Sequence, residues 1–446
     1  MDGTSVFGEL ITSIADRGRG IIDLGRTRDQ AATADGLGEL CEQLLGGRGE
    51  ASSIALATEI FRGYGSLDAD AQRRFFHLLA TSFAAPADAL REAASGYLHN
   101  PGAGRAADIL AAAEPRRQEL FRRLNQAPHG TVSLVQMRAD LLGLLDDAPE
   151  FAGVDSDLTH LFASWFNRGF LELRRIDWQT SAAVLEKVIA YEAVHAISGW
   201  DELRERIDPP DRRLYGIFHP NLGDEPLIFL EVALTREISR TVGSILAKRR
   251  DRVDPEDARV AVFYSISNCQ AGLRGVSFGS FLIKQVVQEL QRELPGLKTF
   301  ATLSPMPGFA PWLADRRHAA DEHPAASSGE TLSLLDRANW WRGKDASAGA
   351  LEKALRALAA RYLLVEKDAD GRPIDPVARF HLGNGARLEQ INWLADKSAA
   401  GRRQSHGLVV NYLYKLDDIE KNHEAFANDG TIAAPGALAR LAKAAA

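Results

Sequence analysis

Ala258–Phe309 reads ARVAVFYSIS, NCQAGLRGVSFG, SFLIKQVVQELQREL and PGLKTFATLSPMPGF. Val260–Ile266 is rich in β-branched and aromatic residues and almost free of charge, as in a strand covered on both faces. A glycine-bearing turn follows. Phe281, Leu282, Val286, Leu290 and Leu294 then recur mostly at steps of four, with Lys284, Gln288, Glu289 and Arg292 between them. That spacing predicts a helix with one buried face. A second strand ends in Ser304-Pro305. A strand that turns through glycines into a helix presents backbone N–H groups at the helix start. Those groups and the helix dipole favour an anionic phosphate.

Length and composition bound the rest. A chain of 446 residues is too long for one ordinary core, so two domains are expected. Apolar residues make up 45% and charged residues 25%, a globular balance. The net charge is −7 and no dense basic block occurs, which argues against nucleic acid as a partner. Cys41 and Cys269 are the only cysteines. They exclude a disulfide framework, argue against a cysteine metal site, and fit a reducing, cytoplasmic compartment. The opening MDGTSVFGELITSIADRGRG lacks the apolar core of a secretory signal, and LARLAKAAA at the end is not a peroxisomal address. No apolar run approaches about 18 residues, so no membrane span is expected.

Residues 1–160 read as an α-helical domain. ADGLGELCEQLLG, ASSIALATEIFRGYG, ADAQRRFFHLLATSFA, PADALREAASGYL, AADILAAAEPRRQELFRRLNQA and VSLVQMRADLLGLL all carry apolar residues at helical spacing. No cluster of catalytic residue types stands out there, and a packing or oligomerisation role is expected. The texture changes in residues 161–446. Gly169–Ile176 alternates like a strand, and Thr180 is placed to cap a helix through SAAVLEKVIAYEAVHAI. RRLYGIFHP and PLIFLEVAL read as strands joined by a turn at Asn221–Asp224, and residues 235–249 as a helix. PGFAPWLAD turns helical, residues 318–330 form a polar loop, residues 331–364 are again helical with a break at Gly343–Ser347, and SHGLVVNYLYKL is a late strand. The expected fold is therefore a two-domain α+β chain: an N-terminal helical bundle, then an α/β domain around one central mixed sheet.

The turn Arg274-Gly275-Val276-Ser277-Phe278-Gly279-Ser280 resembles the pyrophosphate loop of the GNAT acyl-CoA-binding fold, with Ser277 where the first glycine normally sits. A wider resemblance covers residues 190–425. EAVHAISGWDELRERI, FHPNLGDEPLIFLEVALT, FYSISNCQAGLRGVSFGSFLIKQVVQEL, LSPMPGF, DPVARFHLGNGARLEQINWLAD and GLVVNYLYKLDDIEKN are similar, in the same order, to segments of the malonyl-CoA decarboxylase family. The resemblance implies a helical domain followed by a GNAT-like catalytic domain, assembly into homotetramers, and conversion of malonyl-CoA to acetyl-CoA and carbon dioxide. It implies that Ser304 and His381 are catalytic, that Tyr414 lies near them, and that Arg274–Ser280 bind CoA.

The implied chemistry matches the residue types. Decarboxylation of a malonyl thioester needs no metal and no organic cofactor, because the thioester carbonyl accepts the electrons. The site must stabilise an enolate, hold the departing carboxylate out of the thioester plane, and deliver a proton to carbon. Ser304 suits hydrogen bonding or relay, and His381 suits proton delivery near neutral pH. On residue types alone, Ser304 before a proline is a turn residue and His381 beside Phe380 and Leu382 a packed core residue. His219 and Asn392 are weaker site candidates, with turn and packing roles as the plainer reading. A triad hydrolase lacks its Gly-x-Ser-x-Gly elbow around Ser304. The rival activities are a GNAT-type acyl-CoA-dependent acyltransferase and a non-catalytic CoA-binding protein.

Overall fold

The computed structural model describes residues 6–19, 27–28, 30–47, 49–276, 282–322, 329–343 and 345–444. The chain divides into two compact units. One holds Met1–Glu172 with the turns Phe218–Leu227 and Cys269–Phe278; the other holds Leu173–Ile217, Ile228–Asn268 and Gly279–Ala446.

The first unit is helical, with Ala34–Leu45, Glu50–Tyr64, Ala69–Thr81, Ala87–His99, Ala103–Ala113, Arg116–Leu124, Gly130–Leu142 and Ala152–Trp165 among its helices. The stretch read as AADILAAAEPRRQELFRRLNQA is two helices. Pro115 lacks the N–H that a continuous helix needs, and it becomes the N-cap of the second. Leu37, Leu40, Ile60, Phe75, Phe76, Phe121, Leu134 and Phe162 are fully buried and make the core. Tyr64 donates to Asp140 at 2.9 Å, tying two helices together.

The second unit is built on a seven-stranded sheet of order β1-β2-β3-β4-β5-β7-β6. The strands are β1 Glu172–Ile176, β2 Arg212–Phe218, β3 Pro226–Thr235, β4 Val260–Asn268, β5 Thr299–Thr302, β6 Arg387–Asn392 and β7 Val409–Tyr414. β4 and β5 are parallel, while β3–β4, β5–β7 and β6–β7 are antiparallel. The sheet is thus mixed, as expected. The parallel pair requires a crossover, and helix Leu282–Glu293 supplies it. Its buried face is Ile283, Val286, Val287 and Leu290. Ile283 and Val287 therefore join the expected stripe, while Leu294 is only half-buried. Burying each such side chain contributes about 1.5–3 kcal/mol.

The structure departs from the sequence reading at several points, each for an identifiable reason. Helix Ala182–Tyr191 stops short of His195 because the Glu192 carboxylate turns back to accept from the N–H groups of Val194 (2.8 Å) and His195 (2.6 Å). Its N-cap is Ser181; the Thr180 hydroxyl instead accepts from Asp177 N. Within residues 235–249 only Val242–Leu246 is helical. There the hydroxyls of Thr235, Ser239 and Ser244 donate to nearby carbonyls, an alternative to helical hydrogen bonding. Strand β6 is not legible in DPVARFHLGNGARLEQINWLAD; its half-buried Arg387, Glu389 and Gln390 hide the apolar alternation.

Candidate active site

β5 ends at Thr302, and Leu303 N still donates to Phe263 O of β4. Ser304 then exchanges both backbone hydrogen bonds with Val410 of β7, at 2.8 and 2.9 Å. Pro305 has no N–H and the strand goes no further. Ser304 is thus pinned at a strand end, 6% exposed.

His381 comes from helix Pro376–Gly383. Pro376 occupies the first helical position, and Asp375 caps it by accepting from Ala378 N at 2.7 Å. The other Asp375 oxygen accepts from the Tyr362 hydroxyl at 3.1 Å, which anchors the helix start to helix Ala346–Leu364. Burial holds the Asp375 carboxyl above its ordinary range. His381 sits in the last turn, 2% exposed, with its ring stacked on Tyr412 at 4.6 Å between centroids and 27° between planes. The Tyr412 hydroxyl is buried without a hydrogen-bond partner among the described residues.

The side chains converge in one run. His381 Nε2 lies 3.0 Å from Ser304 Oγ, and His381 Nδ1 lies 2.8 Å from the Tyr414 hydroxyl. Ser304 Oγ donates to Thr302 Oγ1 at 2.8 Å. That bond uses the serine proton, so Nε2–H donates to Ser304 Oγ and Nδ1 accepts from Tyr414. The hydrogen-bond network thus assigns the imidazole to the neutral Nε2–H tautomer. Burial pushes its pKa down to about 3, so the free site holds no imidazolium near neutrality. Burial also raises the Tyr414 phenol well above its ordinary value. A proton leaving Nε2 must pass through Ser304 Oγ.

The structure thus brings together Ser304, His381 and Tyr414. Arg274, Gly275 and Val276 belong to the other compact unit, and Ser277, Phe278, Gly279 and Ser280 lie outside the described residues. Arg274 is exposed and Gly275 has φ +81°, a left-handed turn that glycine adopts without strain. Arg138 of helix Gly130–Leu142, 3% exposed, donates Nη1 to the carbonyls of Gly272 (2.7 Å) and Arg274 (2.9 Å) and Nε to Asp155 (2.8 Å). A Cβ on Gly272 would stand 1.8 Å from Val135 O, so only glycine fits this approach of turn to helix.

His219 serves its own turn, with Nδ1 accepting from Asn221 N and Nε2 against Trp165 O at 3.1 Å. Asn392 does not touch Ser304; its amide donates to Asn411 Oδ1 at 2.6 Å. Sequence reasoning missed Thr302, Tyr412 and Arg138. Thr302 and Tyr412 each stand two residues before an expected site residue on a strand, hence on the same face, which is a usable signal. Arg138 carries none. Among the described residues no group of three or more His, Cys, Asp or Glu is placed to hold a metal ion, and no helix is long and apolar enough to cross a membrane.

Comparison with known proteins identifies the relatives of the chain. The family model for the malonyl-CoA decarboxylase C-terminal domain matches residues 169–446, and that for the N-terminal domain matches residues 83–166. A crystal structure of malonyl-CoA decarboxylase from Rhodopseudomonas palustris is 52% identical, covering 92% of this chain and 99% of its own, with a TM-score of 0.88. One from Agrobacterium vitis is also 52% identical, covering 91% and 99%, with a TM-score of 0.85. The protein named malonyl-CoA decarboxylase, mitochondrial, from Anser anser anser is 37% identical over 404 residues, 83% of this chain and 80% of its own. By sequence along both units and by fold, the chain belongs to the malonyl-CoA decarboxylase family.

Proposed function

We propose that the chain converts malonyl-CoA to acetyl-CoA and carbon dioxide, with Ser304 and His381 delivering the proton and Tyr414 holding the imidazole. Family membership supports the reaction; the observation that carries the residue roles is the 3.0 Å contact between Ser304 Oγ and His381 Nε2, backed by Tyr414 at Nδ1.

The carbon–carboxylate bond breaks heterolytically, its electron pair entering the thioester carbonyl to give an enolate, and carbon dioxide leaves. The enolate carbon then needs one proton. Burial alone keeps His381 neutral in the free site. A malonyl carboxylate brought within about 4–6 Å raises the imidazole pKa by about 1–3 units, so substrate binding increases the fraction of His381 that carries a second proton, on Nδ1. The Tyr414 hydroxyl, which donates to Nδ1 at rest, turns to accept from Nδ1–H. Once carbon dioxide has gone, its negative charge no longer stabilises the imidazolium. Nε2 passes a proton to Ser304 as the Ser304 hydroxyl hydrogen goes to carbon. Each step balances and no tyrosinate forms; the imidazole is left with its proton on Nδ1 and regains the resting Nε2–H form by proton exchange after the product leaves.

In this reading the Arg274–Ser280 loop grips the CoA phosphates. Turning the Gly272 and Arg274 carbonyls onto Arg138 takes their negative ends away from an anion. The protein works as a homotetramer in the cytoplasm, which light scattering and fractionation test. The decisive assay incubates purified full-length protein with malonyl-CoA and a chelator and follows acetyl-CoA and carbon dioxide. Absence of turnover overturns the proposal; release of CoA only when an amine is added points to acyl transfer instead.

A further inference from the structure

Phe300 pairs with Tyr414 and Ala301 with Leu413, and pairing resumes at Ser304 and Val410. Thr302 stands between, opposite Tyr412, and is bonded differently. Tyr412 N donates to the Thr302 hydroxyl at 3.1 Å, and Asn411 Nδ2 donates to the Thr302 carbonyl at 2.5 Å. Asn411 is itself fixed: Nδ2 also donates to Ser239 O at 3.1 Å, and Oδ1 accepts from Asn392 at 2.6 Å and Gln390 at 2.8 Å. Thr302 is fully buried, so its rotamer is held by a backbone N–H and its neighbours rather than by solvent.

A hydroxyl oxygen has two lone pairs. On Thr302 one receives Tyr412 N–H and the other receives the Ser304 proton at 2.8 Å. With that proton occupied, Ser304 can only accept from His381, and the imidazole must carry its own proton on Nε2. Remove the Thr302 acceptor and the Ser304 proton has His381 Nε2 as its remaining partner. The imidazole then moves its proton to Nδ1 and donates to Tyr414.

We infer that Thr302 is a positioning residue that parks the Ser304 proton and so sets the direction of the whole run from Tyr414 to Thr302. Substrate draws the Ser304 hydrogen away by rotation about Cβ–Oγ, and the Nε2–H behind it is already in place to follow. The inference rests on the proposed roles of Ser304 and His381.

Three measurements test it. In wild-type protein carrying ¹⁵N-histidine, with the His381 signals assigned by their loss in His381→Gln, the imidazole is expected as the Nε2–H tautomer; a Nδ1–H tautomer overturns the inference without any change at Thr302. Thr302→Val keeps the shape and removes the acceptor. It is expected to switch the tautomer and lower kcat about tenfold or more, with KM for malonyl-CoA little changed. Thr302→Ser restores the hydroxyl and is expected to recover both. Wild-type kcat and tautomer in Thr302→Val, alongside an inactive Ser304→Ala, overturn the role of Thr302. Full turnover by Ser304→Ala overturns instead the reading of the reaction beneath it.

Discussion

Ser304 and His381 stand 77 residues apart in the chain, and their Oγ and Nε2 atoms meet at 3.0 Å. A strand end pinned by Val410 supplies one partner and the last turn of a capped helix supplies the other. If the pair delivers the proton, Ser304→Ala and His381→Gln each lower kcat by about 10²–10⁴-fold while circular dichroism and elution volume stay unchanged. Near-wild-type kcat in either variant moves the chemistry elsewhere.

Tyr414 offers its hydroxyl to Nδ1 and keeps its ring in the core. Tyr414→Phe preserves the ring and leaves a buried acceptor unpaired, which costs about 1–3 kcal/mol of stability. Urea denaturation should report that loss, and kcat should fall less than in His381→Gln. A variant as stable and as active as wild type would remove Tyr414 from the run.

Protonation is the next check. Burial holds His381 at a pKa of about 3 in the folded chain, against about 6.5 when unfolded. Between those values the unfolded chain binds a proton that the folded chain does not. Stability therefore rises with pH across this window and is complete above it, and acidification costs up to about 1.4 kcal/mol per pH unit. His406, pushed down to about 4 by burial and by the Arg317 charge, acts in the same direction. Glu231, raised to about 7 by burial, acts in the opposite direction between about 4.5 and 7. The difference between wild type and His381→Gln isolates the histidine. Equal acid sensitivity in the two proteins counts against a neutral buried imidazole.

Substrate should bring the missing proton with it. Calorimetric titration of Ser304→Ala in buffers of differing ionisation enthalpy is expected to show proton uptake with malonyl-CoA that grows as the pH is lowered towards about 6, and none with acetyl-CoA. Equal proton uptake for the two ligands argues against charging of His381 by the malonyl carboxylate.

Arg138 is buried and holds two carbonyls and one carboxylate. Arg138→Met leaves the Gly272 and Arg274 carbonyls and Asp155 without that partner, at a cost of about 3 kcal/mol. Thermal unfolding measures the cost. If the turn feeds a CoA-binding loop, KM for malonyl-CoA rises more than kcat falls, and unchanged KM in a folded variant separates the turn from substrate binding.

Much of this is readable along the chain. The buried β4 strand, the crossover helix and the Ser304-Pro305 stop follow from local periodicity and from proline's missing N–H. The helical character of the first half follows from alanine, leucine, arginine and glutamate at helical spacing. Other features resist for physical reasons. The Glu192 carboxylate that accepts from the Val194 and His195 N–H groups at its helix end is held there by the hydroxyls of Ser265 and Ser267, 2.8–3.1 Å away and more than 70 residues on. No local pattern encodes that choice.

The order of residues alone carries the element types, the strand–turn–helix–strand unit and, through its segments' resemblance to a family, the choice of Ser304, His381 and Tyr414 as site candidates. Those rest on short-range sterics, periodicity and residue chemistry, which are properties of neighbours in the chain. Three things exist only once the chain has folded: β7 lies beside β5 in a register that skips the pair Thr302–Tyr412, Tyr412 stacks on the imidazole, and the serine proton faces Thr302. The direction of a hydrogen bond depends on which acceptor is within about 3 Å, and that is set by long-range register and burial rather than by spacing along the chain.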